Sequence, residues 1–321
     1  DPIDAQVDGH HLRVALTGAD RYSMLMAVIA EATQSLRLFF YIFADDSHGR
    51  AVVEALEAAA GRGVKVWLIV DGFGSKDTPD SFFAALVKAG GGFDRFNARF
   101  GWRYLLRNHQ KMVIADKKVA IVGGANVQSA YFVDRPGDGG WHDLFLRVEG
   151  AAASRLAHYF DTLRRWLASD APTIRGILHI LSRRSDKKGP LRWLFNGPFR
   201  RMGPLTQSIK HDIERAKSIR MVEAYFSPNW GMLRRLARVV KRGGTVSVLT
   251  PSLSDNDITV AAARYCYGRL LKGDVAVHEF QPEMLHMKLI IVDDCVYVGS
   301  ANFDMRSLFI NGEVMLRIDD A

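Results

Sequence analysis

The chain has 321 residues, 48% of them hydrophobic and 24% charged. That composition excludes a disordered segment and supplies core material for one large domain or two of ordinary size. The formal net charge of +8 fits an anionic partner (nucleic acid, anionic lipid headgroups or a phosphorylated substrate), although on charge alone solubility is the safer explanation.

Cys266 and Cys295 have no Cys or His at metal-ligand spacing. Neither a disulfide framework nor a zinc site is expected, and the thiols fit a reducing compartment. No run of about 18 apolar residues occurs, so no segment is expected to span a bilayer as a helix. No signal peptide is expected at the start of the given sequence. The first residue is Asp1 rather than Met, which leaves room for an upstream segment.

In chain order, a helix is predicted over 21–35 and a buried strand over 36–44, "LRLFFYIFA". A second helix follows over 49–63 with a glycine stop, then a β-rich strand over 64–71. The stretch 182–204, rich in Arg, Lys, Gly and Pro, breaks the pattern and places a boundary between residues 170 and 205. The second half repeats the order, with helix 204–217, strand 219–227, helix 231–244 and strand 245–250. Each half then reaches a His-x-Lys strand, a short β-rich run, a glycine–asparagine turn and a last strand carrying an acid. The expected class is α/β, with a largely buried sheet in each half. The expected division is a first domain 1–175, a linker 176–203 and a second domain 204–321. Segment 174–205 carries Ile177, Leu178, Ile180, Leu181, Trp193, Leu194, Phe195 and Phe199 among basic residues. That mixture suits either an interfacial membrane anchor or an amphipathic helix packed between the halves.

The repeated element is chemical. "RNHQKMVIAD" holds His109, Lys111 and Asp116, and "LHMKLIIVDD" holds His286, Lys288 and Asp293. Downstream stand Gly123-Gly124-Ala125-Asn126 and Gly299-Ser300-Ala301-Asn302. The two histidines are 177 residues apart and the two asparagines 176, which marks an internal duplication. By chance one such match is expected about 0.03 times per chain, so two copies in register are not accidental. On a strand, residues two apart share a face, so each His and its Lys point the same way. Imidazole beside ammonium suits an oxyanion: the Lys holds negative charge while the His attacks or donates a proton. The glycines allow close backbone approach, and an Asn amide can donate to a phosphate oxygen. Asn126, Asn302 and Ser300 are therefore candidate substrate-binding residues. His48 reads as a strand end or helix cap, and Gly72 and Gly74 as a turn.

These residues resemble the paired HKD signature of the phospholipase D superfamily. "RNHQKMVIADKKVAIVGGANV", "WHDLFLRVEG" and "MLHMKLIIVDDCVYVGSANFDMRSLFINGE" are similar to bacterial cardiolipin synthases, as are "YIFADDSHGR" and "YFSPNWGMLRRL". The resemblance runs from about residue 10 to 318. It implies two similar α/β domains related by a pseudo-twofold, with both motifs meeting at their interface. It also implies a phosphohistidine mechanism that needs no cofactor or metal, with overall retention at phosphorus. In that mechanism one His attacks the phosphodiester and the other protonates the leaving alcohol, with Lys111, Lys288, Asn126 and Asn302 on the phosphate oxygens. His109 is expected as nucleophile by resemblance only, since the sequence is symmetric on this point. A nucleophilic His needs an acceptor on its second ring nitrogen. Asp116 and Asp293 lie too far along their strands and are expected to be structural. Asp143 is assigned to orient His109, and Glu313 to orient His286. The implied reaction transfers a phosphatidyl group from phosphatidylglycerol to a second phospholipid alcohol. Hydrolysis to phosphatidic acid and nuclease activity are the competing classes. The implied partner is an anionic phospholipid at the cytosolic side of a bacterial cytoplasmic membrane, bound peripherally. No nucleic acid is expected, and a monomer suffices for a complete site.

Overall fold

The computed structural model describes residues 3–96, 107–134, 140–170, 172–199, 201–281 and 283–319. In the helix Gly18–Glu31, Leu25, Val28 and Ile29 recur at helical spacing and form its buried face. Thr17 caps it by accepting from Asp20 N at 3.0 Å. The cap starts this helix before residue 21. It ends before 35 because Ser35 already pairs with Lys65 in the sheet. The strand Ser35–Phe40 stops short of the expected residue 44. Beyond it, Ile42 N donates to Asn126 Oδ1 at 3.0 Å and Ala44 N to Val127 O at 2.8 Å, which turns the chain over the site.

The first sheet has eight strands, in the order Ile3–Val7, His10–Ala15, Phe145–Glu149, Val119–Gly123, Met112–Ala115, Ser35–Phe40, Lys65–Asp71 and Gly92–Phe96. The second has seven: Leu191–Asn196, Glu313–Asp319, Cys295–Gly299, Lys288–Val292, Ser218–Glu223, Thr245–Pro251 and Ala276–Phe280. The last six strands of each run in matching order. In both, the final three are parallel and the hairpin strands antiparallel. The duplication read from the motifs is thus a duplication of sheets.

Much of the described part of 176–203 is regular structure. Ile174–Arg184 is a helix that buries Ile177, Ile180 and Leu181. Leu191–Asn196 is the edge strand of the second sheet, antiparallel to Glu313–Asp319, where the first sheet has His10–Ala15. Trp193, Leu194 and Phe195 are no more than 3% exposed, and Trp193 Nε1 donates to Ala152 O at 2.8 Å. Ile177, Ile180, Leu181, Trp193, Leu194 and Phe195 are therefore core, while Leu178 and Phe199 stay half-buried. The second repeat begins near residue 190, and its first strand is hidden in the sequence by flanking Gly, Pro and Arg.

The helix Ala151–Leu167 lies between the sheets. Its Leu156, Tyr159 and Phe160 share one cluster with Val122 and Val148 of the first sheet and Val298, Val314 and Leu316 of the second. Gly18–Glu31 and Ser47–Gly61 cover the outer face of the first sheet, and Pro204–Arg215 and Trp230–Lys241 that of the second. The layers are helix, sheet, central helix, sheet, helix, so the halves share a core.

At one end the halves exchange backbone bonds. His109 N donates to Gly312 O and Gly312 N to Arg107 O, each at 2.8 Å, and His286 N donates to His142 O at 2.7 Å. Arg21, 1% exposed, braces this region by donating to the carbonyls of Leu16, Tyr131, Trp141 and Asp143 at 2.6 to 3.0 Å. Arg21→Ala leaves the buried carbonyls of Tyr131 and Asp143 without this donor. It is expected to cost about 4 kcal/mol, read as a lowered midpoint in urea unfolding.

Asp116 and Asp293 sit at φ 53° and 50° in the turns after the motif strands, a conformation Asp tolerates. Asp116 accepts from the amides of Thr33, Gln34 and Ser35 at 2.7 to 2.9 Å. Asp293 accepts from Ser218 N at 2.7 Å and Lys217 N at 3.0 Å. Each motif carboxylate therefore pins the start of the neighbouring central strand.

Candidate active site

His109 and His286 open onto one cavity of about 410 Å³, whose walls include Tyr41, Asn126, Tyr131, Tyr225 and Asn302. His109 Nδ1 lies 3.2 Å from the Glu313 carboxylate and 3.1 Å from Ser300 O. His286 Nδ1 lies 2.8 Å from Asp143 Oδ2. Asp143 and Glu313 are both fully buried.

The pairing corrects the expectation that each acid serves the histidine of its own half. Asp143 orients His286, and Glu313 orients His109. The inter-half backbone bonds give the reason. The Asn108–His109 segment runs beside Gly312, next to Glu313. Met284–Leu285 pairs with Trp141–His142, next to Asp143. Each histidine is therefore delivered to the acid of the opposite half. His142 itself points outward and pairs with Glu283.

The two acids sit in different cradles. Ser300 Oγ donates to Glu313 Oε2 at 2.5 Å, and Ser307 Oγ donates to Oε1 at 2.8 Å. Asn311 Nδ2 adds a longer bond at 3.4 Å. Ser300 is fully buried, so its expected contact with substrate gives way to a role behind the site. At the equivalent place stands Gly124, where a Cβ would lie 2.5 Å from Asp143 Oδ1. The shorter acid takes the space that a side chain would fill. Gly124→Ala is expected to displace Asp143 and lower kcat about a hundredfold with little change in KM, measured by steady-state kinetics. Ser300→Ala leaves Glu313 its Ser307 bond and is expected to cost less.

Burial pushes the His109 imidazole below its ordinary pKa, and Lys111 adds to this against Glu313. Burial and Lys288 push His286 down in the same way, against Asp143. Burial also lowers Lys288, to about 8, and Lys111 well below its usual value. Both carboxylates are held below their ordinary values despite burial. Lys288 and His286 do this for Asp143, and His109 and Lys111 for Glu313. Lys111 Nζ donates to His109 O at 2.7 Å, and Lys288 Nζ to His286 O. Each lysine thus sits behind its histidine, 1% exposed. Asn126 bonds Ile42 N through Oδ1 and the Tyr131 hydroxyl through Nδ2 at 3.1 Å. Asn302 Oδ1 is buried without a partner.

Several site residues escaped the sequence reading. Asp71, the last residue of the strand read over 64–71, accepts from Phe73, Gly74 and Asn108 amides at 2.9 to 3.0 Å and so holds the approach to His109. Burial lifts its pKa to about 6. Gln110, between His and Lys, bonds Tyr159 on the central helix at 2.7 Å. Tyr41 packs edge-on against His109, and Tyr131 and Trp141 against His286. No spacing rule marks these, because each reaches the site from a different element. Glu223, opposite Lys288, is buried with Oε2 on Phe303 N at 2.9 Å. It breaks the symmetry, for Phe40 holds the matching strand position in the first half.

Among the described residues no group of three or more His, Cys, Asp or Glu could hold a metal ion. Two histidines over one cavity, each backed by a buried carboxylate and a lysine, form a site suited to nucleophilic and acid–base chemistry at an anionic centre. The family model described as "Cardiolipin synthase, PLD-like domain" matches residues 25–163 and 209–321. The chain belongs to the phospholipase D superfamily. It is 29% identical over 314 residues to cardiolipin synthase A of Pseudomonas putida (strain GB-1), covering 96% of this chain and 64% of that protein. To cardiolipin synthase B of Salmonella typhi it is 29% identical over 335 residues, covering 98% and 77%. It therefore spans a little under two thirds of the first of these relatives. The crystal structure of phosphatidylserine synthase from Haemophilus influenzae Rd KW20 has the same fold, with a TM-score of 0.74 at 13% identity over 99% of this chain and 84% of that one.

Proposed function

We propose that this chain is a phosphatidyltransferase of cardiolipin synthase type, working peripherally at a membrane surface through a phosphohistidine. The observation that carries the reading is the pair of histidines facing one cavity, each with Nδ1 on a buried carboxylate of the opposite half. Among the described residues His109 Nδ1 meets only acceptors, Glu313 and Ser300 O. That keeps its proton on Nδ1 and leaves Nε2 as a free nucleophile. His286 Nδ1 instead meets both Asp143 and, at 2.7 Å, Lys288 Nζ. Protonated on both nitrogens, with Asp143 as counter-charge to the imidazolium, it donates its Nε2 proton as the acid and is left neutral.

In the proposed reaction, His109 Nε2 attacks phosphorus of phosphatidylglycerol and His286 protonates the departing glycerol oxygen. His286 then takes the proton of a second lipid alcohol, whose oxygen displaces His109. The P–N bond formed in the first step breaks in the second, and His286 ends protonated as it began. Asn126 and Asn302 reach the phosphate oxygens from the cavity wall, Lys111 and Lys288 supply positive charge from behind the histidines, and two in-line displacements retain configuration. The relatives that carry the cardiolipin synthase name, and the chain's positive charge, support this donor.

The test is mass spectrometry of lipids after incubation of the purified protein with phosphatidylglycerol liposomes, with and without chelator, beside His109→Ala. Cardiolipin formed only by the intact protein, chelator or not, is the expected result. Phosphatidic acid in its place would make the chain a hydrolase. A requirement for metal would sink the mechanism.

A further inference from the structure

We infer that the mouth of the catalytic cavity is itself the face by which this chain docks on a phospholipid bilayer, with Leu253, Ile258, Met305 and Ile310 entering the interface. The inference rests on the lipid substrate proposed above and adds where and how that lipid is met. Singly exposed apolar side chains are ordinary, whereas a group of them around one functional opening marks an interaction surface.

Leu253 and Ile258 are 51% and 77% exposed. They bracket Asp255 and Asn256, which line the cavity together with Thr259. Met305 and Ile310 are 44% and 38% exposed. They bracket Arg306, which lines the same cavity, and Asn311 follows. The two stretches are tied together. Tyr225 Oη donates to Asp255 at 2.6 Å, and the adjoining Phe226–Ser227 pairs with Phe303–Asp304. The apolar side chains therefore rim one opening from two walls.

Charge and aromatic content fit a lipid surface. Lys76, Arg107 and Arg306 line the cavity, where they would meet anionic headgroups. Further along the same half, Trp230 and Tyr265, 40% and 73% exposed, lie with ring centroids 5.8 Å apart, and the Arg269 guanidinium stands 3.6 Å from the Trp230 ring centre. Tyr265 and Arg269 stand on the helix Asp257–Leu271 that also carries Ile258, and aromatic rings beside cations are a composition of interfacial binding. Among the described residues no helix is long and apolar enough to cross a membrane, and most apolar residues of 174–205 are buried in the core. A rim seated on the bilayer would let a headgroup enter the cavity without its chains leaving the membrane, and would keep bulk water from the phosphohistidine.

The test compares wild type with Leu253→Asp/Ile258→Asp by co-sedimentation with vesicles of phosphatidylglycerol and phosphatidylcholine. Turnover of vesicle phosphatidylglycerol and of a short-chain, monomeric phosphatidylglycerol is measured alongside. The double variant should lose about tenfold in vesicle partitioning and lose vesicle turnover in parallel. Its thermal midpoint and its turnover of the short-chain lipid should be retained. Ile258→Trp should partition more strongly than wild type, which guards against loss by misfolding. A double variant that sediments like wild type would overturn the inference, whatever reaction the chain performs. So would unchanged sedimentation with a shift from dimer to monomer, which would make the rim an interface between two copies. If wild type binds vesicles, the double variant does not, and neither turns lipid over, the docking face stands and the proposed reaction falls.

Discussion

Replacing His109 with alanine is expected to abolish turnover, by roughly ten-thousand-fold or more, and to abolish the covalent intermediate with it. His286→Ala should lose turnover of lipid to a similar extent but behave differently with an activated substrate. A nitrophenyl phosphodiester has a leaving group that departs without a proton, so the first displacement survives the loss of the acid. The acceptor alcohol then lacks its base, and a phosphorylated His109 should accumulate. Intact-protein mass spectrometry at alkaline pH would show the added mass in His286→Ala and none in His109→Ala. The reverse pattern would exchange the two roles. The asymmetry behind this expectation is structural. Among the described residues His109 Nδ1 meets only acceptors, whereas His286 Nδ1 is shared between a carboxylate and an amine.

Asp143→Asn and Glu313→Gln are each expected to lower kcat about a thousandfold, because the imidazolium formed in either step loses its buried counter-charge. The effects should cross between the halves. Asp143 raises the proton affinity of His286, so Asp143→Asn should move the His286 titration further down and leave that of His109 nearly in place. Glu313→Gln should act on His109 in the same way. Titration of the imidazole signals by NMR would decide this, and uncrossed effects would contradict the pairing. The alkaline limb of kcat/KM should come from Lys288, whose ammonium is lost as pH rises through about 8. Activity should therefore fall above that pH, in a profile measured on the free enzyme with substrate well below KM.

The duplication was legible from residues alone, because His, Lys, Gly and Asn recur at matched offsets in both halves. So were the α/β class and most element positions, since a change of apolar period from helical to alternating is local information. That Asp116 and Asp293 would lie apart from their histidines could be expected too, since strand geometry carries them away. The edge strand Leu191–Asn196 was hidden, because its pairing with Glu313–Asp319 is made across more than a hundred residues. The partners of the histidines were hidden for a stronger reason. In a duplicated chain each His has two equivalent acids to choose from, and spacing along the chain favours the near one. The choice was made by Asn108–His109 lying against Gly312, and Met284–Leu285 against Trp141–His142. Such contacts between halves arise from packing two similar sheets about the helix Ala151–Leu167, and no local pattern records them. The serine and glycine that cradle the two acids have the same origin. Ser300 and Gly124 read as one turn repeated, and only the packed site separates a hydroxyl holding Glu313 from a space left for Asp143.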